Sequence, residues 1–261
     1  MKAIKKYLKK RVEAICFLLK KPKQAYNPAT FHKLRIETKK VNALFEIIKI
    51  CTKDFKRKKA FKPYKLISHH AGKVREIQVE EKMLKKYFIN NSLLQYRDYL
   101  MEIRINETET YFSMINKKLV HQLQKKYHKI VPFLTRFDKK KVATYMKKKS
   151  DKINELLHQK TLQTPQLHLL RKKLKKLNYN RKSMNFGKPS SPLPKKDVLC
   201  DLIGKWHDCQ VIDTHLKKVL DTAVENLKEV NQLKKIKAKI SSDALIILAK
   251  INLVKRSSEF M

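Results

Sequence analysis

The sequence predicts an all-α fold, and composition and periodicity carry that prediction. Only three glycines and eight prolines occur in 261 residues, which leaves little turn material for a sheet protein. Apolar residues make up 42% of the chain, enough for a hydrophobic core. Along almost the whole chain they recur at alternating spacings of three and four, as on one face of a helix.

The predicted helices follow one another with short connections. Asn27-Pro28 and Thr164-Pro165 are typical of helix starts, because an N-cap oxygen precedes a proline in the first turn. The stretch Gly187–Pro194 holds three prolines and is predicted to be a loop, and a further break is predicted near Pro132. The predicted helices lie at about 2–20, 28–53, 58–71, 73–89, 92–127, 138–159, 165–185, 195–204, 206–220 and 223–254.

Charge is the first indication of function. Lysine and arginine number 63 against 23 acids, a formal net charge of +40. Such an imbalance favours a polyanionic partner, namely nucleic acid, an anionic membrane surface or a phosphate polymer. The rival interpretation is a lysine-rich proteome that gives every protein a positive surface. The scarcity of acids favours a partner.

The remaining composition predicts a soluble cytoplasmic protein. The cysteines Cys16, Cys51, Cys200 and Cys209 show no short paired spacing and are expected to be reduced thiols. No signal peptide is visible, and no run approaches the roughly 20 apolar residues of a membrane span.

Two motifs recur in the same order and indicate an internal duplication. The segment His32–Asn42 returns as His168–Asn178, and Gly72–Val79 returns as Gly204–Val211 at nearly the same offset. We call His32–Asn42 with Gly72–Val79 the first copy, and His168–Asn178 with Gly204–Val211 the second copy. The prediction is one domain over residues 1–261, with a first helical repeat at 1–130 and a second at 131–261, forming two similar helical bundles.

The repeated helix places hydrogen-bond donors beside its core face. Phe31, Leu34, Thr38 and Val41 form an apolar stripe, with the donors one position further on. The row spans roughly 15 Å at the helical rise of 1.5 Å per residue, enough to follow several phosphates. Arginine suits bidentate contact with phosphate oxygens, and lysine adds a flexible charge. The donors are His32, Arg35, Lys39 and Asn42 in the first copy and His168, Arg171, Lys175, Asn178 and Lys182 in the second.

The rival interpretation of this row is a structural seam of salt bridges to neighbouring helices, and Glu46 on the same face supports it. The scarcity of acids argues that most of the bases bind a polyanion instead. In the second motif, Gly72 and Gly204 are predicted to precede helices as turns or sites of close approach. The acids Glu76 and Asp208 are then predicted in first turns, or beside an arginine or histidine.

At these residues the sequence resembles the CHAD domain family, named for histidines in an α-helical domain. The resemblance covers both halves of the chain, with Glu76 where the family usually has aspartate. It implies two pseudo-twofold-related helical bundles with a basic central groove, binding of inorganic polyphosphate, and in some members association with polyphosphate granules. Read with the residue pattern, it gives as the predicted polyphosphate-binding residues His32, Arg35, Lys39, Lys40, Asn42, Lys73, Arg75, Lys82, His168, Arg171, Lys175, Lys176, Asn178, Lys182, Lys205 and His207.

Other function classes find less support in the sequence. No His-x-x-x-His or Cys-x-x-Cys pair occurs, so neither a metal nor another cofactor is expected. No glycine-rich phosphate loop appears, and Glu107-Thr-Glu109 lacks the lysine of a triphosphate-hydrolysing strand, so we expect no enzyme. Nucleic-acid binding is the alternative function, since its electrostatics would be similar. The expected partner is inorganic polyphosphate, with weak nucleic-acid binding beside it.

Overall fold

The computed structural model describes residues 2–87, 93–184, 194–222 and 227–256, and these ranges hold helices and no strand. The all-α prediction is confirmed. Short 3₁₀ helices lie at Lys23–Ala25 and Val131–Arg136. The predicted loop at 187–194 lies outside the described residues, apart from Pro194. The α-helices are α1 (Lys2–Leu19), α2 (Pro28–Cys51), α3 (Arg57–Leu84), α4 (Leu94–Met114), α5 (Lys117–Ile130), α6 (Lys139–His158), α7 (Thr164–Met184), α8 (Pro194–Thr222) and α9 (Leu227–Arg256).

The helix starts follow the capping chemistry of the sequence. The Asn27 side chain accepts a hydrogen bond from the Thr30 amide at 2.9 Å, which confirms the predicted start of α2. Helix α7 begins one residue earlier than predicted, because the carbonyl of Gln163 accepts the bond from the Leu167 amide. The predicted break near Pro132 is confirmed as the 3₁₀ helix Val131–Arg136.

Two predicted boundaries at glycine are wrong. Helix α3 continues through Gly72 and α8 continues through Gly204. A glycine in a helix interior costs only about 1 kcal/mol relative to alanine, and buried neighbours such as Val74 and Trp206 outweigh it. Consequently Glu76 and Asp208 lie within helices rather than in first turns.

The predicted helix at 92–127 is also wrong, because it divides at Asn116. Helix α4 ends at Met114, and the Asn116 side chain accepts a hydrogen bond from the Leu119 amide at 2.9 Å. This N-cap satisfies an amide at the start of α5 that would otherwise lack an acceptor.

The chain forms two compact units, and each unit gathers separate stretches of sequence. Unit 1 comprises Met1–Glu76, Arg104–Asp151 and Lys176–Ser191. Within it α1 packs against α2 and α5. Its hydrophobic core includes Leu8, Leu34, Phe45 and Tyr64, all less than 1% exposed.

Unit 2 comprises Ile77–Ile103, Lys152–Lys175 and Pro192–Met261. Here α8 packs against α9, with Ile203, Leu216, Ile240 and Ile251 buried. The units interleave in sequence, whereas the predicted repeats are consecutive, so the boundary at residue 130 stays a prediction.

Unit 2 also encloses a polar cluster around the buried carboxylate of Glu80. The Tyr96 hydroxyl donates to it at 2.6 Å, and His215 Nδ1 lies 2.7 Å from its second oxygen. The Tyr99 ring stacks on His215 at 6.4 Å between centroids. The hydrogen bond to Glu80 raises the pKa of His215, which ties α8 to α3 and α4.

No helix in the described part of the chain is both long and apolar enough to cross a membrane. All four cysteines are free thiols, and three of them are buried.

Candidate functional site

The predicted site residues are all described, and they divide between the two units. The composite groove predicted between the repeats stays a prediction. Unit 1 contains His32, Arg35, Lys39, Lys40, Asn42, Lys73, Arg75, Lys176, Asn178 and Lys182, and unit 2 contains Lys82, His168, Arg171, Lys175, Lys205 and His207.

Helix α2 carries the first-copy row in the predicted register. Leu34 and Val41 of the apolar stripe are fully buried. Arg35 and Lys39 are half-buried beside them, and His32 is exposed near the start of the helix. The donors therefore border the core face, where the hydrophobic stripe fixes their position.

Arg35 is held against helix α3 at Gly72. Its Nη1 donates to the Gly72 carbonyl at 3.3 Å, and its Nη2 lies 3.6 Å from Glu76 Oε1. A Cβ added to Gly72 would lie 3.6 Å from the guanidinium carbon. The guanidinium thus lies against the helix at Gly72, which is the close approach expected from the sequence, and an added methyl group would be in ordinary van der Waals contact with it.

Lys40 belongs to a buried ion-pair group. Glu37 pairs with Lys40 at 2.8 Å and with Arg11 of α1 at 2.9 Å. The Glu37 side chain is only 5% exposed, so the group joins α1 to α2 inside unit 1. For Lys40, the rival interpretation of a structural salt bridge fits the geometry.

Glu46 gathers a second group, which includes Lys176. Arg57 pairs with Glu46 at 2.9 Å, the Tyr145 hydroxyl donates to it at 3.1 Å, and Lys176 also pairs with it. Arg57 additionally donates to Asn42 at 2.8 Å. This carboxylate is 10% exposed, and its charge adds to burial in raising the pKa of Tyr145.

Lys73 pairs with Glu107 of α4 at 2.9 Å. Next to this pair, the pKa of His70 is lowered, first by burial and then by the positive charges of His69 and Lys73. Lys73 therefore also has a structural partner, although its side chain stays more exposed than that of Lys40.

In the second copy, two histidines touch. His168 on α7 and His207 on α8 bring their Nδ1 atoms to 3.1 Å. One Nδ1 must then carry a proton and the other must accept it, so the contact requires at least one neutral ring. The Trp206 ring lies against His168, with 5.0 Å between the ring centroids.

Electrostatics agree with this geometry. Burial, followed by the charge of Arg171, lowers the pKa of His207 to about 4. The pKa of His168 is lowered by burial and then by Lys172 and Arg171. Each imidazole is therefore neutral near pH 7 in the unliganded protein.

The pKa of Lys175 is also lowered, by burial and then by Arg171, while Asp208 and Asp201 act in the opposite direction. An anion beside these groups would favour their charged forms and relieve their mutual repulsion. The cluster of His168, Arg171, Lys175 and His207 is therefore suited to binding an anion; we name it the second-copy cluster.

The other predicted residues lie on more open surface. Lys82, Lys182 and Lys205 are exposed, and Arg75 and Asn178 are half-buried. Among the described residues, no three histidine, cysteine or acidic side chains gather as a metal site.

Sequence reasoning missed three contributors, Trp206, Arg57 and Tyr145. Trp206 carried a signal, since it is the one tryptophan of the chain and immediately precedes His207 in the repeated motif. Arg57 and Tyr145 carried none, because their contacts with Glu46 join different helices and depend on tertiary packing.

The comparisons with known proteins identify the family. The family model described as CHAD domain matches residues 6–217 of the 261-residue chain. No curated protein matches the sequence. The chain belongs to the CHAD domain family.

Proposed function

We propose that this member of the CHAD domain family is a non-catalytic protein that binds inorganic polyphosphate. The family is associated with polyphosphate binding. The observation that carries the proposal for this chain is the second-copy cluster, in which burial, and after it the charges of neighbouring cations, lower the pKa values of His168, Lys175 and His207.

The chemistry of the ligand matches that cluster. Polyphosphate presents closely spaced anionic oxygens, and arginine can contact two of them with its planar fork. A neutral imidazole that gains a proton beside a phosphate offers a second donor. Helix α7 repeats such donors at spacings of three and four, so successive phosphates can meet successive turns.

The absence of catalysis is part of the proposal. The sequence lacks a glycine-rich phosphate loop, and its 23 acids are few for holding a metal–phosphate centre. In the described part of unit 1, the carboxylates of Glu37 and Glu46 are already engaged by basic side chains.

The proposal includes a cytoplasmic location, in contact with polyphosphate granules where cells form them. The four free thiols are typical of a reducing compartment. Fluorescence microscopy of the tagged chain beside a polyphosphate stain should show overlap.

A competition titration tests the proposed ligand against nucleic acid, the alternative. Labelled long-chain polyphosphate is bound to the protein near physiological salt and displaced with unlabelled polyphosphate, RNA or DNA at matched phosphate concentration. We expect polyphosphate to displace the label at the lowest concentration. Tighter binding of RNA or DNA would overturn the proposal in favour of a nucleic-acid-binding protein.

A further inference from the structure

The ion pairs of unit 1 differ in how deeply their carboxylates are buried. Glu37, which holds Lys40, is 5% exposed, and Glu46, which holds Lys176, is 10% exposed. Glu107, which holds Lys73, is 23% exposed. Removing a cation from a buried carboxylate leaves an uncompensated charge, so these pairs are costly to separate.

The Arg35–Glu76 pair is of another kind. The Glu76 side chain is 59% exposed, and its oxygen lies 3.6 Å from Nη2 of Arg35. An exposed pair of this sort contributes little to stability, and water can solvate the carboxylate once it moves away. Arg35 itself is held independently of this pair, because its Nη1 donates to the Gly72 carbonyl at 3.3 Å.

We propose that Glu76 is a selectivity-setting residue that occupies the outward edge of Arg35 and must be displaced by an incoming phosphate. This inference rests on the proposed function, because it concerns the same site. The Glu76 carboxylate occupies the position at Arg35 that a phosphate oxygen would take. Anions of low charge therefore compete poorly with it for Arg35. Glu76 affects ligand binding only through Arg35 and makes no contact of its own with phosphate.

The test compares Glu76→Gln with wild type in binding inorganic pyrophosphate and long-chain polyphosphate by calorimetry. Glu76→Gln should raise the pyrophosphate affinity by about two- to fivefold, the range set by an exposed ion pair. The salt dependence should become steeper, because a salt anion then replaces the carboxylate at Arg35 and is released on binding.

Glu13→Gln is the matched control. Glu13 forms an exposed pair with Lys9 at 3.7 Å on α1, so its replacement changes the net charge equally. We expect little change in affinity from it. In an Arg35→Gln background, Glu76→Gln should have no effect, since its action passes through Arg35.

The outcomes separate this inference from the proposed function. A loss of affinity in Glu76→Gln, or a gain matched by Glu13→Gln, would overturn the role of Glu76 even if polyphosphate binds well. Tighter RNA binding by wild type, together with a pyrophosphate gain specific to Glu76→Gln, would overturn the proposed ligand and support the role of Glu76.

Discussion

The two copies of the motif hold similar donors in different electrostatic states. In the first copy, carboxylates pair with Arg35, Lys40 and Lys73 at 2.8–3.6 Å. In the second copy, His168 and His207 touch, and burial together with neighbouring cations lowers their pKa values. The repeated sequence thus places similar donors in different surroundings, although Lys176 of the second copy also pairs with a carboxylate, that of Glu46.

The two copies are therefore expected to differ in their part in the proposed binding. Several basic side chains of the first copy form ion pairs within unit 1, and the ion pairs there connect α1, α2, α3 and α4. The second copy retains repulsion that a bound anion would relieve. We therefore expect the second copy to contribute more to the affinity for polyphosphate.

Charge reversal gives the largest expected effect. Arg171→Glu should weaken polyphosphate binding by about a hundredfold, because it places a carboxylate beside His168, Lys175 and His207, and Arg35→Glu by about tenfold. The double variant should bind barely at all. Fluorescence titration measures the affinities, and circular dichroism should show unchanged helicity.

The control for charge reversal is Lys235→Glu on α9, where the side chain is exposed. It makes the same change in net charge outside the motifs. Equal loss of binding in this variant would mean diffuse attraction to the whole surface. A greater loss from Arg35→Glu than from Arg171→Glu would reverse the ranking of the two copies.

Proton uptake gives a smaller effect. The pKa of His207 is about 4 in the free protein, and a bound phosphate should raise it. Affinity should then rise as pH falls through the liganded pKa and level off below about 4. The expected gain is about tenfold for each unit by which binding raises the pKa.

Calorimetry in buffers of different ionisation enthalpy measures this uptake directly. His207→Gln should reduce it, whereas His121→Gln, at an exposed position on α5, should leave it unchanged. Identical pH profiles for wild type and His207→Gln would show that the imidazole does not sense the ligand.

The smallest expected effect concerns the two glycines. Gly204→Ala should raise the free energy of unfolding by about 0.5–1 kcal/mol, since alanine favours helix and nothing lies within 4 Å of the added methyl group. Gly72→Ala should raise the free energy of unfolding by a similar amount, but its methyl group would contact the Arg35 guanidinium and limit the movement of that side chain. Urea unfolding and polyphosphate titration compare them; a loss of stability in Gly204→Ala would contradict the open geometry.

Much of this architecture is predictable from sequence, because helical periodicity is local. The register of α2 followed from Phe31, Leu34 and Val41, and the start of α2 from Asn27. The break at Asn116 was hidden, since apolar residues continue on both sides of it. The continuity of α3 and α8 was also missed, because tertiary packing decided it rather than glycine propensity.

The candidate site was predictable only as a set of donors. Sequence spacing aligned His168, Arg171 and Lys175 on one helix, as the structure has them. The Glu37–Lys40 pair, at a spacing of three residues on α2, is readable from the sequence. The Glu37–Arg11 and Glu46–Lys176 pairs are not, because tertiary packing brings their residues together. Nor could the sequence give the His168–His207 contact, which depends on how α7 packs against α8.

The pair formed by the buried Glu80 and the partly exposed His215 makes the stability of unit 2 depend on pH. The pKa of His215 is higher in the folded state than its ordinary value of 6.5. Its contribution to folding stability is therefore complete below pH 6.5 and is lost as the pH rises through the raised pKa. His207 has the opposite effect, because its pKa is lowered to about 4 in the folded state. It leaves folding stability unchanged above pH 6.5 and reduces it as the pH falls from 6.5 toward 4. We therefore expect these two histidines to favour the folded state of unit 2 most near pH 6.5, since His215 loses its contribution at higher pH and His207 opposes folding at lower pH.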